Sequence, residues 1–278
     1  MSRNIEKYKN IYKSLGPKSA LLIQNLSKSG MNVFTTKDAL NLIDINARNL
    51  NKILYNLVNK GWLRRIEKGK YMLIPFGVDS VEPYTESHFV IASKLISPYY
   101  IGFWSALHFY GYTEQLLNTI FIASTKRKKE INQGGVQYKF IKIKPNHFFG
   151  VSEIKIAEAN VNFSDKEKTL VDCLAYPEYC GGIQEIIKGL WKAKDEISSE
   201  KMIRYARQMD NSVIFKRLGY LLDALKLNDL LDLKQLKKYV RKGYSLLDPL
   251  LPRGGSYDSN WNLIINISYE DLLSFKRT

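Results

Sequence analysis

The stretch from Ile45 to Pro75, INARNLNKILYNLVNKGWLRRIEKGKYMLIP, constrains the fold more than any other part of the chain. Leu50, Ile53, Leu54, Leu57 and Val58 follow the i, i+3, i+4, i+7, i+8 rule. That spacing predicts one helix with a single apolar stripe. Gly61 ends it. With helical periodicity, Arg48, Lys52, Tyr55 and Asn59 project from the opposite side, with Asn49 and Asn56 on one flank and Asn51 on the other. WLRRIEKGKYMLIP then reads as two short strands around a turn at Glu67-Lys68-Gly69-Lys70. Trp62, Ile66, Tyr71 and Leu73 are good strand residues there.

Two further helices are expected upstream. PKSALLIQNLSKSG opens on Pro17, stops at Gly30 and aligns Leu22, Ile23 and Leu26. In FTTKDALNLI, Thr35 with Asp38 three residues on resembles a capping box before Ala39, Leu40 and Ile43. Three helices and a β-hairpin in this order form the winged variant of the helix-turn-helix. Its third helix enters the major groove and its hairpin lies along the backbone. Asparagine suits adenine and arginine suits guanine, while lysines on a hairpin tip suit phosphate. The candidate DNA contacts are therefore Thr36, Lys37, Arg48, Asn49, Asn51, Lys52, Tyr55, Arg64, Arg65, Lys68 and Lys70. Two other readings of the same pattern stand beside this one: a solvated helix face next to a charged turn, and a winged helix that docks protein.

Charge favours the nucleic-acid reading. The 278 residues carry 42 Lys+Arg and 27 Asp+Glu, a net of +15. Up to Gly77 the counts are 14 and 4; the remaining 201 residues hold 28 and 23. Most of the excess thus sits in little more than a quarter of the chain, which points to a polyanionic partner for that part. IPFGVDSVEPYT, Ile74 to Thr85, reads as a linker. The expected domains are 1–77, the winged helix-turn-helix, and 78–278, a larger α+β domain.

The second domain reads as helices at ESHFVIASKLI and GFWSALHFYGYT, then strands at NTIFIAST, VQYKFIKIK and VSEIKIAEANVNF. NFSDKEKTLVDCL opens a helix, with Ser164 as expected cap and Glu167 completing a capping box. GIQEIIKGLWKAKDEI, SEKMIRYARQMD, SVIFKRLGYLLDALKL and DLKQLKKYVRKG read as helical, and NWNLIINI as a final strand. The class is α+β, a small sheet packed with helices.

The search for chemistry is mostly negative. There is no phosphate-binding glycine loop and no dinucleotide fingerprint. His88, His108 and His147 lack metal-ligand spacing, so no metal and no cofactor are expected. Cys173 and Cys180 lack C-x-x-C spacing and read as buried thiols in a reducing cytoplasm. MSRNIEKYKN lacks the apolar core of a signal peptide, and no apolar run is long enough for a bilayer, so no membrane partner is expected. Asp165, Glu167 and Lys168 admit a nuclease-like reading; helix capping accounts for the region without catalysis. TKRKKEIN places Lys126, Arg127, Lys128 and Lys129 on a loop that either touches a partner or is a solvated turn. Arg253, in PRGGSYDSNW, either pairs with Asp248 or meets a partner.

Four segments carry a family resemblance: ISPYYIGFWSALHFYGYT (Ile96–Thr113), FSDKEKTLVDCLAYPEYCGG (Phe163–Gly182), FKRLGYLLDAL (Phe215–Leu225) and SLLDPLLPRGGSYDSNWNLIIN (Ser245–Asn266). In order and spacing they resemble the AbiEi family, antitoxins of type IV abortive-infection systems and related transcriptional regulators. Lys168 stands where arginine is expected in that family. The resemblance implies a non-enzymatic protein with two roles. The first domain would bind an inverted-repeat operator in double-stranded DNA and repress its own operon. The second would counter a nucleotidyltransferase-like toxin, with or without stable contact. The competing function is a nuclease or transferase whose winged helix presents the substrate.

Overall fold

The computed structural model describes residues 15–74, 85–115, 118–227 and 229–276. The stretch MSRNIEKYKN and residues 75–84 of the expected linker, with the boundary at 78, lie outside the described residues. The class is α+β, as the sequence predicts. The chain forms two compact units. One runs to Ser97 and takes in Asn132–Gly135 and Ile154–Val161; the other comprises Pro98–Ile131, Val136–Glu153 and Asn162 onward.

The first unit contains α1 (Pro17–Lys28), β1 (Val33–Thr35), α2 (Thr36–Leu42), α3 (Ala47–Asn59), β2 (Leu63–Glu67), β3 (Lys70–Leu73) and α4 (Thr85–Leu95). Its strands form an antiparallel sheet in the order β1-β3-β2. This is the helix-turn-helix with a wing. Local chemistry sets the helix starts. Pro17 occupies the first turn of α1. The Thr35 hydroxyl accepts from Asp38 N–H (3.1 Å), and the Asp38 carboxylate accepts from Thr35 N–H (2.8 Å). That reciprocal pair is the capping box read from the sequence. The Asn25 amide donates to the Leu42 carbonyl (2.8 Å) and ties α1 to the end of α2. Leu22, Leu26, Phe34, Leu50 and Leu54 are fully buried in one cluster. Burying each such side chain is worth roughly 1.5–3 kcal/mol against chain entropy.

The second unit is built on a six-stranded sheet in the order β6-β7-β5-β4-β9-β8. The strands are β4 (Tyr100–Ile101), β5 (Thr119–Ser124), β6 (Ile131–Gln133), β7 (Val136–Lys142), β8 (Val151–Ile156) and β9 (Ala159–Ser164). β5 pairs with β7 in parallel and with β4 antiparallel. The helices are α5 (Phe103–Phe109), α6 (Lys166–Ala175), α7 (Ile183–Ala193), α8 (Ser199–Gln208), α9 (Ser212–Leu225) and α10 (Leu233–Lys237). A second small sheet, β10 (Ser245–Leu246), β11 (Ser256–Asp258) and β12 (Leu263–Ile265), precedes α11 (Tyr269–Leu272). Gly219 on α9 lets the Trp261 ring lie on the helix backbone: a Cβ there would sit 2.2 Å from that ring. The Trp261 indole N–H donates to Asp223 (2.6 Å).

Two expectations are corrected. The cap of α6 is Asp165, not Ser164: the Asp165 carboxylate accepts from Lys168 N–H (2.8 Å). Ser164 is buried against the Thr169 hydroxyl (2.7 Å), and Glu167 accepts from Ser198 N–H (2.8 Å) and pairs with Lys201 (2.8 Å). Ser164 and Asp165 are adjacent and both are good caps, so tertiary contacts decide between them. DLKQLKKYVRKG is helical only over Leu233–Lys237. Beyond it, the Tyr239 carbonyl accepts from Ser212 Oγ (3.1 Å) and the Gly243 carbonyl from Lys216 Nζ (2.5 Å). Those side chains satisfy the carbonyls in place of another helical turn.

Candidate nucleic-acid interface

α3 divides its residues by face. Leu50, Leu54 and Leu57 are at most 1% exposed, whereas Tyr55 is 67% exposed. Arg48, Asn49, Asn51, Lys52, Tyr55 and Asn56 all lie on the solvent side. Asn51, Lys52, Tyr55 and Asn56 line a shallow open depression. Asn56 was not among the candidate contacts; its place four residues after Lys52 is the signal that finds it. Asn46 has a different task, because its side chain accepts from Asn49 N–H (2.9 Å) and caps the helix. The asparagines of this segment thus serve both as a cap and as an exposed face.

The wing is fixed against α2. Gly69 has φ +76°, a backbone region that costs a side-chain-bearing residue energy. Its carbonyl accepts from both Thr36 N–H (2.9 Å) and Thr36 Oγ1 (3.3 Å). Thr36 is therefore half-buried and holds the wing turn, while Lys37 beside it is exposed. A register shift between Arg65 and Glu67 buries Ile66 and leaves Arg65 exposed, its Nε donating to the Glu67 carbonyl (3.4 Å). Arg64 is half-buried and Lys68 is exposed at the tip. Lys70 is committed internally: its ammonium meets Glu67 (2.7 Å) and donates to the Leu95 carbonyl (2.7 Å). Arg48, Asn49, Asn51, Lys52 and Tyr55 share one face, whereas Lys70 is turned inward.

The remaining candidates lie in the second unit. Lys126, Arg127 and Lys129 are exposed, and Lys128 sits over the Phe140 ring (5.6 Å). Arg253 is exposed, while the Asp248 carboxylate accepts from the N–H groups of Ile183 (2.8 Å) and Leu250 (2.9 Å). The residues of the nuclease-like reading have structural partners. Lys168 and Asp172 form a fully buried ion pair (2.5 Å). Tyr100 OH donates to the same carboxylate (2.8 Å), and the Lys168 ammonium also lies over the Phe149 ring (4.4 Å). Burial raises the Asp172 carboxyl, and the Lys168 charge and these donors oppose that rise. A single-point ammonium contact satisfies this site, where a planar guanidinium would seek two. Asp165, besides capping α6, accepts from Tyr205 OH (3.0 Å). Arg217 donates to the carbonyls of Leu174, Leu247 and Leu246 (2.7, 3.0 and 3.1 Å), and burial pulls its pKa down to about 10. Among the described residues no group of three or more His, Cys, Asp or Glu is placed to hold a metal ion. Cys173 and Cys180 are buried free thiols, and burial pushes the Cys180 thiol up. No described helix is long and apolar enough to cross a membrane.

A winged helix-turn-helix with an exposed polar third helix defines a class of regulator-like modules. Residues 21–74 match the family model described as "Transcriptional regulator, AbiEi antitoxin". The resemblance read from the sequence is borne out, and on a different part of the chain: the segments that carried it lie beyond residue 95. Membership in that family implies a role as an antitoxin and transcriptional regulator. The crystal structure of the RV2827C protein from Mycobacterium tuberculosis is similar over 96% of this chain and 97% of that chain, with a TM-score of 0.69 and 15% identity. At that identity the likeness is one of fold. A comparison with curated proteins found no match.

Proposed function

We propose that the protein is a DNA-binding repressor of its own operon and a type IV antitoxin against a nucleotidyltransferase-like toxin. The observation that carries the DNA half is the outward face of α3. Arg48, Asn49, Asn51, Lys52 and Tyr55 are exposed together on a helix whose other side is buried, beside a wing pinned by Thr36. In this reading that face enters the major groove, Arg65 and Lys68 meet phosphates, and Lys70 supports the wing. Residues 1–77 act as the DNA-binding module and residues 78–278 as the antitoxin domain. The toxin half rests on the family match and on no geometry of a toxin site.

Binding to duplex DNA upstream of its own gene, titrated against salt, tests the proposal. With about four to six phosphates neutralised per protomer, the log–log slope is expected near −4 to −5. A flat salt response with no preferred sequence removes the DNA half. Co-expression with the neighbouring toxin tests the other half: growth is expected to recover, and unrelieved toxicity at full antitoxin expression contradicts it. Incubation with labelled DNA and RNA, with magnesium or chelator, checks the enzyme alternative; metal-dependent cleavage abolished by Asp165→Ala would reverse the ranking.

A further inference from the structure

The charge excess beyond Gly77 is concentrated in one stretch. Thr125–Asn146 holds seven Lys+Arg and one Glu, while the rest of residues 78–278 holds 21 Lys+Arg and 22 Asp+Glu. Folding brings the two ends of this stretch together. β5 and β7 run parallel with Ser124 opposite Lys142, and Ile143 N–H donates to the Ser124 carbonyl (2.9 Å). The run Lys126–Lys129 therefore leaves the sheet beside the end of β7 that carries Lys142 and Lys144. Strand alternation decides which way those two point: Ile141 and Ile143 are buried, and Lys142 and Lys144 are exposed. Lys126, Arg127 and Lys129 are exposed as well. Glu130 is occupied by the Gln137 amide (2.6 Å) and by Lys139 (3.9 Å). The Lys128 stem lies along the sheet at Phe140.

We propose that this end of the sheet is a second polyanion site, which grips the sugar–phosphate backbone of nucleic acid without reading its sequence. The composition of the surface selects that partner over an acidic protein. Protein interfaces draw their affinity from buried aromatic and apolar anchors, and lysine is depleted in them. Among the described residues the exposed large hydrophobics are Leu21, Tyr55, Tyr244, Leu250, Tyr257 and Tyr269, and none lies within 125–146. A patch with cations and no anchor gains affinity chiefly by releasing counterions from a regularly charged polymer. The inference rests on charge and strand register, not on the α3 proposal, so each can fail alone.

The test uses the full chain, with Arg127→Gln, Lys129→Gln, Lys142→Gln and Lys144→Gln combined. Fluorescence anisotropy with random-sequence duplex DNA and random-sequence single-stranded RNA is followed over a salt series, with thermal melts as the fold control. The variant is expected to melt like the wild type, to bind at least one probe tenfold or more weakly, and to flatten the duplex slope by roughly three units at ~0.9 per phosphate lost. The probe that suffers more identifies the source of the backbone. Unchanged affinity and slope on both probes overturn the proposal. So does wild-type binding to polyglutamate that depends on these four residues while nucleic-acid binding does not. An Arg48→Ala protein with unaltered operator preference would instead count against α3, and its patch-dependent slope remains measurable.

Discussion

α3 and α6 both begin at a side-chain cap, Asn46 in one and Asp165 in the other, and both carry lysines. They differ in what surrounds them. α3 buries three leucines and leaves its polar face to solvent. α6 is buried continuously from Glu167 to Leu174, with Lys168 and Asp172 inside. A lysine whose ammonium is held by a buried carboxylate stabilises the fold, and one with no such anchor is available to a partner. Lys168 and Lys52 stand at these two extremes, and Lys70 in the wing stands nearer Lys168. Residue type alone therefore does not assign the role; the atoms within reach of the ammonium do.

The largest expected effect lies on the buried side. Lys168→Ala leaves Asp172 uncompensated in the interior, and such losses cost about 3–5 kcal/mol. Chemical denaturation is expected to register it as a large drop in midpoint. A combined Lys168→Met, Asp172→Leu replacement is expected to recover much of that loss. If Lys168→Ala melts like the wild type, the contrast between the two helices loses its basis.

Neighbours on α3 give the next test. Leu54→Ala is expected to destabilise the first unit by about 2–5 kcal/mol. Tyr55→Ala is expected to change stability by less than about 0.5 kcal/mol while weakening DNA binding. Equal effects of the two on melting would erase the distinction between faces.

Smaller effects sharpen it. Thr35→Ala removes one side of the capping box and is expected to cost about 1 kcal/mol in equilibrium unfolding. Lys68→Ala is expected to flatten the salt slope by about one unit with all sequences weakened alike. Lys70→Ala is expected to leave that slope unchanged, because Glu67 and the Leu95 carbonyl already hold its ammonium. A slope loss at Lys70 equal to that at Lys68 would return it to the phosphate contacts.

The first unit was legible wherever its signals are local. The stripe Leu50-Ile53-Leu54-Leu57-Val58 and the Thr35–Asp38 box span only a few residues, and both are read directly from spacing. β1 was not legible: Val33–Thr35 is a strand only because it pairs with Lys70–Met72, far along the chain. The commitment of Lys70 was hidden for the same reason, since its carbonyl partner is Leu95. At α6 the sequence offers two adjacent caps, and the choice falls to Tyr205 and Thr169, which approach from elsewhere. The cationic patch shows both cases. The run Lys126–Lys129 is plain in the sequence, whereas its meeting with Lys142 and Lys144 depends on parallel strand register. The alternation Lys142-Ile143-Lys144 was the available clue.

Footprinting on the DNA upstream of the gene tests the central claim most directly. The wild-type chain is expected to protect paired repeats. An Arg48→Ala, Asn51→Ala protein that melts like the wild type is expected to lose that protection. If the double variant shields the same bases at the same concentration, the outward face of α3 is not what reads the duplex.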